Sequence, residues 1–217
     1  MTGSDRYLSV ARAGVHEIEV RRSRFLCALA PVDSADAARE EIARRRRAEP
    51  GARHHCHAFV LEPDGRTQRS SDDGEPAGTA GTPMLEVLRR RELTDTVAVV
   101  TRYFGGVLLG AGGLIRAYGQ AVAEAIDVVG VTEYRRLRLV EVAVDYGRAG
   151  RLENDLRSSP YLVHDTWFDD NAHFEIGLGT GQGEPFHGWL ADLTGGEAVA
   201  RDRGERWVRA DSATRPG

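Results

Sequence analysis

A chain of 217 residues, 41% of them hydrophobic, has room for one large domain or two small ones with real cores. Its 29 basic and 33 acidic residues give a net charge of −4, which excludes a chain that is basic throughout, and the most apolar stretch, around Val97 to Leu114, is too interrupted by Arg102 and glycines to span a bilayer. The charge is uneven: 19 Arg balance 19 Asp and Glu over residues 1–135, while 10 Arg face 14 Asp and Glu over 136–217, so any basic face is local and belongs to the first half. Every basic residue is an arginine, the better bidentate partner for phosphate. Cys27 and Cys56 sit in apolar, strand-like stretches and the start lacks a signal-peptide pattern, so a cytoplasmic, reducing location is expected.

In chain order, residues 1–14 read as a loosely held lead-in. The alternation VHEIEV at Val15 to Val20 predicts a half-buried strand, with Phe25 to Val32 as its hairpin partner. Ser34 is a good N-cap for a helix over Ala35 to Ala48, which stops before Pro50 and Gly51. His54 to Leu61 predicts a strand and Pro63-Asp64-Gly65 a turn. A glycine-rich loop then leads to Thr79 and a helix over about Pro83 to Leu93. The β-branched run Thr96 to Thr101 predicts a buried strand, and a helix follows from about Gly113 to Val128. Leu114, Tyr118, Ala121, Val122 and Ala125 form its core face.

Near Val131 the pattern changes. A strand over Leu137 to Asp145, a helix over Arg148 to Ser158, strands Tyr161 to Phe168 and His173 to Leu178, a helix from Pro185 to Leu193 and a strand through Val199 to Val208 make the order βαββαβ, the ferredoxin-like pattern. Residues 210–217 read as a frayed end. The fold class expected is therefore α+β in two domains, 1–132 and 133–217.

Four strings carry a family resemblance. RSRFLCALAPV (Arg22 to Val32), HHCHAFV (His54 to Val60), SSDDGEPAGTAGTPML (Ser70 to Leu85) and TRYFGGVLLGAGGLIRAYG (Thr101 to Gly119) closely resemble, in the expected order, the IMPACT family, called YigZ in bacteria. The strong resemblance covers about Val15 to Val131, and a weaker one continues to about residue 209. It implies a first domain like ribosomal protein S5 domain 2, an α/β sandwich, and a ferredoxin-like second domain like the tail of a translational elongation factor. The family is named in translational control and has no established catalytic chemistry. Eukaryotic members carry an additional N-terminal RWD domain; this chain begins close to the shared region, so the kinase-restraining mechanism of those members is not expected here.

The richest stretch chemically is Ser70 to Gly119, with two glycine-rich loops. A loop leading into a helix N-terminus offers unpaired N–H groups and a positive partial charge, which suit phosphate. Arg102 and Arg116 would hold phosphates, with the amides of Gly105, Gly106, Gly112 and Gly113 around them, and Arg24 and His55 on the same surface. The competing reading pairs these arginines with Asp72, Asp73 or Glu75. The expectation is a non-enzymatic protein without a cofactor, a monomer or small homo-oligomer, binding RNA or a ribosome-associated partner in translational regulation.

The alternative is an enzyme or binder for a nucleotide or other phosphorylated small molecule, with Mg²⁺ on Asp72, Asp73 and Glu75; no base or nucleophile can be named for it. A third reading makes Tyr103 and Phe104 a domain or subunit contact. The run His54 to His57 invites zinc, but alternation along a strand puts only two ligands on each side. The runs Arg44 to Arg47 and Arg89 to Arg91 read as solvated helix ends, or as a second RNA contact. Gly179 to Pro185 reads as a loop.

Overall fold

The computed structural model describes residues 5–210, which divide into two units after Thr132. The first unit is built on a five-stranded antiparallel sheet in the order β2-β3-β6-β4-β5. Its strands are β2 (Gly14–Val20), β3 (Ser23–Pro31), β4 (His54–Leu61), β5 (Thr67–Ser71) and β6 (Thr96–Tyr103), and its helices are α1 (Ala35–Ala48), α2 (Gly81–Arg90) and α3 (Ala111–Val129). Period-two alternation sorts the strand residues into two cores. Phe25, Cys27, Cys56, Ala58, Ala98 and Val100 face α2 and α3, where they meet Met84, Leu88, Tyr118 and Val122. Phe59, Leu61, Val97 and Val99 face α1, with Ala38 and Ile42. Central strand β6 is buried along nearly its whole length because both its faces are covered.

Local chemistry explains the helix ends. Ser34 accepts the Ala37 N–H at 3.2 Å and so caps α1 as expected. Helix α2 has no cap from its own N-cap residue, Ala80, and takes one from the preceding loop instead. Helix α3 starts at Gly110, whose φ of 71° favours glycine, with no side-chain cap.

Two expectations are corrected here. Residues Arg6–Val10 form a strand, β1, rather than a loose lead-in: Leu8 bridges Leu93, the Thr94 N–H donates to the Leu8 carbonyl at 2.9 Å, and Ser9 and Val10 are buried. The loop after Gly65 contains strand β5, which pairs with β4 from Thr67↔Leu61 to Ser71↔His57. Its sequence, TQRSS, is polar because an edge strand needs little burial, so no hydrophobic alternation marked it. Residues 1–4 and 211–217, including most of the expected frayed end, lie outside the described residues.

The second unit carries β7 (Val131–Val144), α4 (Tyr146–Arg157), β8 (Leu162–Phe168), β9 (Ala172–Leu178), α5 (Gly183–Thr194) and β10 (Ala200–Arg209). Antiparallel pairing gives the strand order β10-β7-β9-β8, the arrangement expected from the βαββαβ pattern. Val140, Val142, Phe174 and Ile176 pack under Leu152, Leu156, Phe186 and Leu190 of the two helices. Gly179 to Gln182 is the β9–α5 connection, closed by a 2.7 Å hydrogen bond from the Gly179 N–H to Gln182 Oε1, while Gly183 to Pro185, expected as loop, open α5. Among the described residues no helix is long and apolar enough to cross a membrane.

Candidate functional site

The loop Ser70 to Gly81 carries three carboxylates, and each has protein partners. Asp72 accepts the N–H groups of Gly78 (2.8 Å), Ala80 (3.0 Å) and Gly81 (2.8 Å), which makes it the missing cap of α2. Partial burial alone would raise its pKa, but the three donors from Gly78, Gly81 and Ala80 outweigh that and hold it below the ordinary carboxylate range. Asp73 accepts the His55 backbone N–H at 2.7 Å and pairs with Arg46. Glu75 is buried; its Oε1 receives Arg102 Nη1 at 2.7 Å and the Tyr118 hydroxyl at 2.8 Å. The oxygens of Asp72, Asp73 and Glu75 thus close the loop on the protein. Among the described residues no three His, Cys, Asp or Glu side chains group as a metal site needs.

Arg102, expected to reach phosphate, is turned inward and only 8% exposed. Besides Glu75 it reaches Ser23 Oγ at 3.5 Å and lies against the Phe25 and Phe104 rings, 5.5 and 5.7 Å from their centroids. The competing reading, an arginine neutralised by Glu75, describes what the structure holds. A buried cation needs such a partner, since desolvation would otherwise cost several kcal/mol.

His55 is also buried. Its Nε2 meets the Glu49 carbonyl at 3.1 Å, which ties the end of α1 to β4 rather than facing a ligand. Cys56 Sγ lies 3.0 Å from the Asp72 carbonyl and 3.3 Å from the Tyr118 hydroxyl. Burial, partly opposed by the Tyr118 hydrogen bond, pushes the Cys56 thiol up to about 12, so it is no nucleophile at neutral pH. His54 binds the Asp73 carbonyl at 2.9 Å, and burial lowers the pKa of His57. The histidines therefore diverge along the strand, and of them the His54 ring and the His55 N–H hold Asp73 of the acidic loop.

The second loop is different. The sheet register sets the β2–β3 turn, the start of β4 and the end of β6 at one end of the sheet. Gly105 packs so closely on that turn that a Cβ would stand 2.0 Å from the Arg22 carbonyl carbon and oxygen, while its N–H donates to Ser23 Oγ at 3.2 Å. Beyond it, Gly106, Val107, Leu108, Gly110, Ala111 and Gly112 are exposed, and Gly113 is half-buried. Leu108 is 82% exposed and Phe104 59%. Arg116 is exposed on the first turns of α3, with its guanidinium reaching back towards Gly112.

Arg24 is exposed too, but it is bound to Glu17 through two hydrogen bonds of 2.6 and 2.9 Å and lies 5.5 Å from the centroid of Tyr103. Of the run Arg44 to Arg47, the first two pair with Glu41 and the third with Asp73. What remains without a carboxylate partner at this end, among the described residues, is Arg21, Arg22, Arg53 and Arg116, while Arg47 lies along α1 in a cavity with Ala30, Pro31 and Val32. Two more such arginines, Arg89 and Arg90, end α2.

Arg21 and Arg22 were missed in the sequence. They form the two-residue β2–β3 turn, both with positive φ, 47° and 65°, the signature of a type I′ turn that normally takes Asn-Gly. The signal was legible as a pair of arginines between two alternating runs, at a position where arginine is a poor turn former.

Fold and site together define a two-unit α+β protein with an internally neutralised acidic loop and, beside it, an open basic end. The Impact N-terminal domain is matched over residues 21–126, and a domain of unknown function, DUF1949, over residues 142–197. IMPACT family member YvyE of Bacillus subtilis (strain 168) is 44% identical over 196 residues, 90% of each chain. IMPACT family member YigZ of Escherichia coli (strain K12) is 46% identical over 125 residues, 57% of this chain and 60% of that one. A solved structure described as a hypothetical protein superposes with a TM-score of 0.61 at 32% identity, covering 91% of this chain and 97% of that one. The chain belongs to the IMPACT family.

Proposed function

We propose that this protein binds the phosphate backbone of RNA, as such or within a ribosomal particle, through the open end of its first unit, and acts in translational regulation without catalysing a reaction. The observation that carries the binding reading is that Arg21, Arg22, Arg53 and Arg116, none with a carboxylate partner among the described residues, belong to the end of the sheet where α3 begins without a side-chain cap. Unpaired guanidinium groups and free N–H groups are what a phosphate backbone requires. Arg116 and the amides of Gly112 and Gly113 keep the role expected of them, Arg21 and Arg22 join them, and Arg102 and His55 support from beneath. The translational setting comes from the family resemblance.

The test is binding of a labelled RNA, and co-sedimentation with ribosomes, across a salt series. The triple variant Arg21→Ala/Arg22→Ala/Arg116→Ala should bind more weakly on all sequences. Its salt slope should be flatter by roughly 0.7 per lost contact on single strands. Unchanged affinity and slope would remove the site from this end. Absence of binding at every salt concentration would remove the RNA reading itself.

A further inference from the structure

Phe104 is large, apolar and 59% exposed, yet both of its chain neighbours are fixed. Tyr103 before it is still in β6, paired with Arg24, and its hydroxyl donates to Glu49 at 2.7 Å. Gly105 after it is held by Ser23 Oγ and pressed on the Arg22 backbone, with no room for a side chain. The Arg102 guanidinium lies 5.7 Å from the ring centroid and is itself locked by Glu75. An exposed ring on fixed backbone, backed by a fixed cation, loses little freedom when something stacks on it. Exposed Val107 and Leu108 continue the apolar surface.

The charge around the ring selects what would stack there. Four carboxylates at this end are committed, Glu75 to Arg102, Glu17 to Arg24, Glu49 to Tyr103 and Asp73 to Arg46, while Glu19, opposite Arg24 in the β2–β3 pair, is exposed. Arg21, Arg22 and Arg116 have no carboxylate partner among the described residues. An apolar ring in a basic frame suits a ligand with a flat π-face and negative charge along its length, which describes an unpaired nucleotide. In a duplex the base faces are covered by their neighbours and inaccessible to a side chain.

We infer that Phe104 is a stacking platform for an unpaired RNA base, so that this end of the first unit prefers single-stranded RNA over duplex. The inference rests on the phosphate-backbone reading above and specifies which form of RNA that site takes.

The experiment is fluorescence anisotropy with the full chain, using a labelled single-stranded RNA and a duplex of the same length at one low salt concentration. Wild type, Phe104→Ala and Phe104→Trp are compared. Wild type should bind the single strand about tenfold more tightly than the duplex, Phe104→Ala should lose that preference, and Phe104→Trp should restore it. Equal wild-type affinity for the two forms, or a preference that survives Phe104→Ala, would overturn the inference while leaving the backbone reading in place. Absence of binding to either form would bring down the backbone reading and the inference with it. If Phe104→Ala instead lowers the mass of the chain in solution, the ring belongs to a contact between copies and the stacking role is lost.

Discussion

The loops Ser70 to Gly81 and Phe104 to Gly113 look alike in composition: both are glycine-rich and both lead into a helix. The structure treats them in opposite ways. In the first, Asp72 caps α2 through three backbone donors, Asp73 holds His55 and Arg46, and Glu75 neutralises Arg102. In the second, α3 has no side-chain cap, and Arg116 has no carboxylate partner among the described residues. The difference follows from countercharge. The first loop brings its own carboxylates; the segment Arg102 to Gly119 contains none. A loop with anions near helix N–H groups and arginines closes on itself, whereas a loop without them leaves donors and cations to meet an outside ligand.

The sharpest way to break this contrast is to compare the two arginines by which the loops differ. Arg102→Ala strands the buried Glu75 carboxylate and should cost about 3–5 kcal/mol of stability in denaturant unfolding. Arg116→Ala, on an exposed helix face, should stay within about 0.5 kcal/mol. Similar costs for both would erase the distinction between an inward and an outward loop. Gly105→Ala ranks next. A methyl group there would collide with the Arg22 backbone at 2.0 Å, and since backbone cannot move aside as a side chain can, a loss of about 2–3 kcal/mol is expected. Gly112→Ala, beside nothing closer than the Arg116 guanidinium at 3.7 Å, is the control and should be close to neutral.

The acidic loop also makes a pH prediction. Asp72 is held below the ordinary carboxylate range because its three N–H donors outweigh the effect of burial. A depressed folded pKa contributes stability that is present above the unfolded value and lost as pH falls through the folded one. The wild-type chain should therefore lose stability as pH drops below about 4. Asp72→Asn, which has no such titration, should show a shallower acid limb. Asp72→Ala at neutral pH should cost about 1–2 kcal/mol, as the loss of a helix cap does. An acid limb unchanged in Asp72→Asn would mean that other groups dominate it.

These contrasts also mark what the sequence could show. Elements with strong periodicity were legible: α1, β4 and the core face of α3 follow from Ser34, from HHCHAFVL and from the Leu114–Tyr118–Val122 spacing. The βαββαβ order of the second unit followed from the same kind of pattern. Strand β5 was not legible, because a polar edge strand is defined by its partner β4 rather than by its own residues. At the site, sequence placed both glycine-rich loops but could not assign each arginine. Arg102 and Arg116 differ by which way a side chain points from β6 or α3, and that depends on Glu75, 27 residues from Arg102 along the chain. Asp72 as cap of α2 was hidden for a similar reason, since it lies six to nine residues before the donors it serves. Arg21 and Arg22 could be read as lying between two hairpin strands, but only the register of β2 with β3 shows that the turn is these two residues alone, both at positive φ.

That turn gives the smallest effect and the one with opposite sign. Arg21 and Arg22 both sit at positive φ, where a side chain with a Cβ is strained and Asn-Gly is at ease. The double substitution Arg21→Asn/Arg22→Gly should raise stability by about 1 kcal/mol. The same substitution removes two of the cations in the proposed frame, so RNA affinity should fall and the salt slope on single strands should flatten by about 1.4. A gain in stability joined to a loss of binding is what separates residues kept for a ligand from residues kept for the fold. Gain without loss would show that the turn is strained for some reason other than phosphate contact, and would move the basic frame towards Arg53 and Arg116.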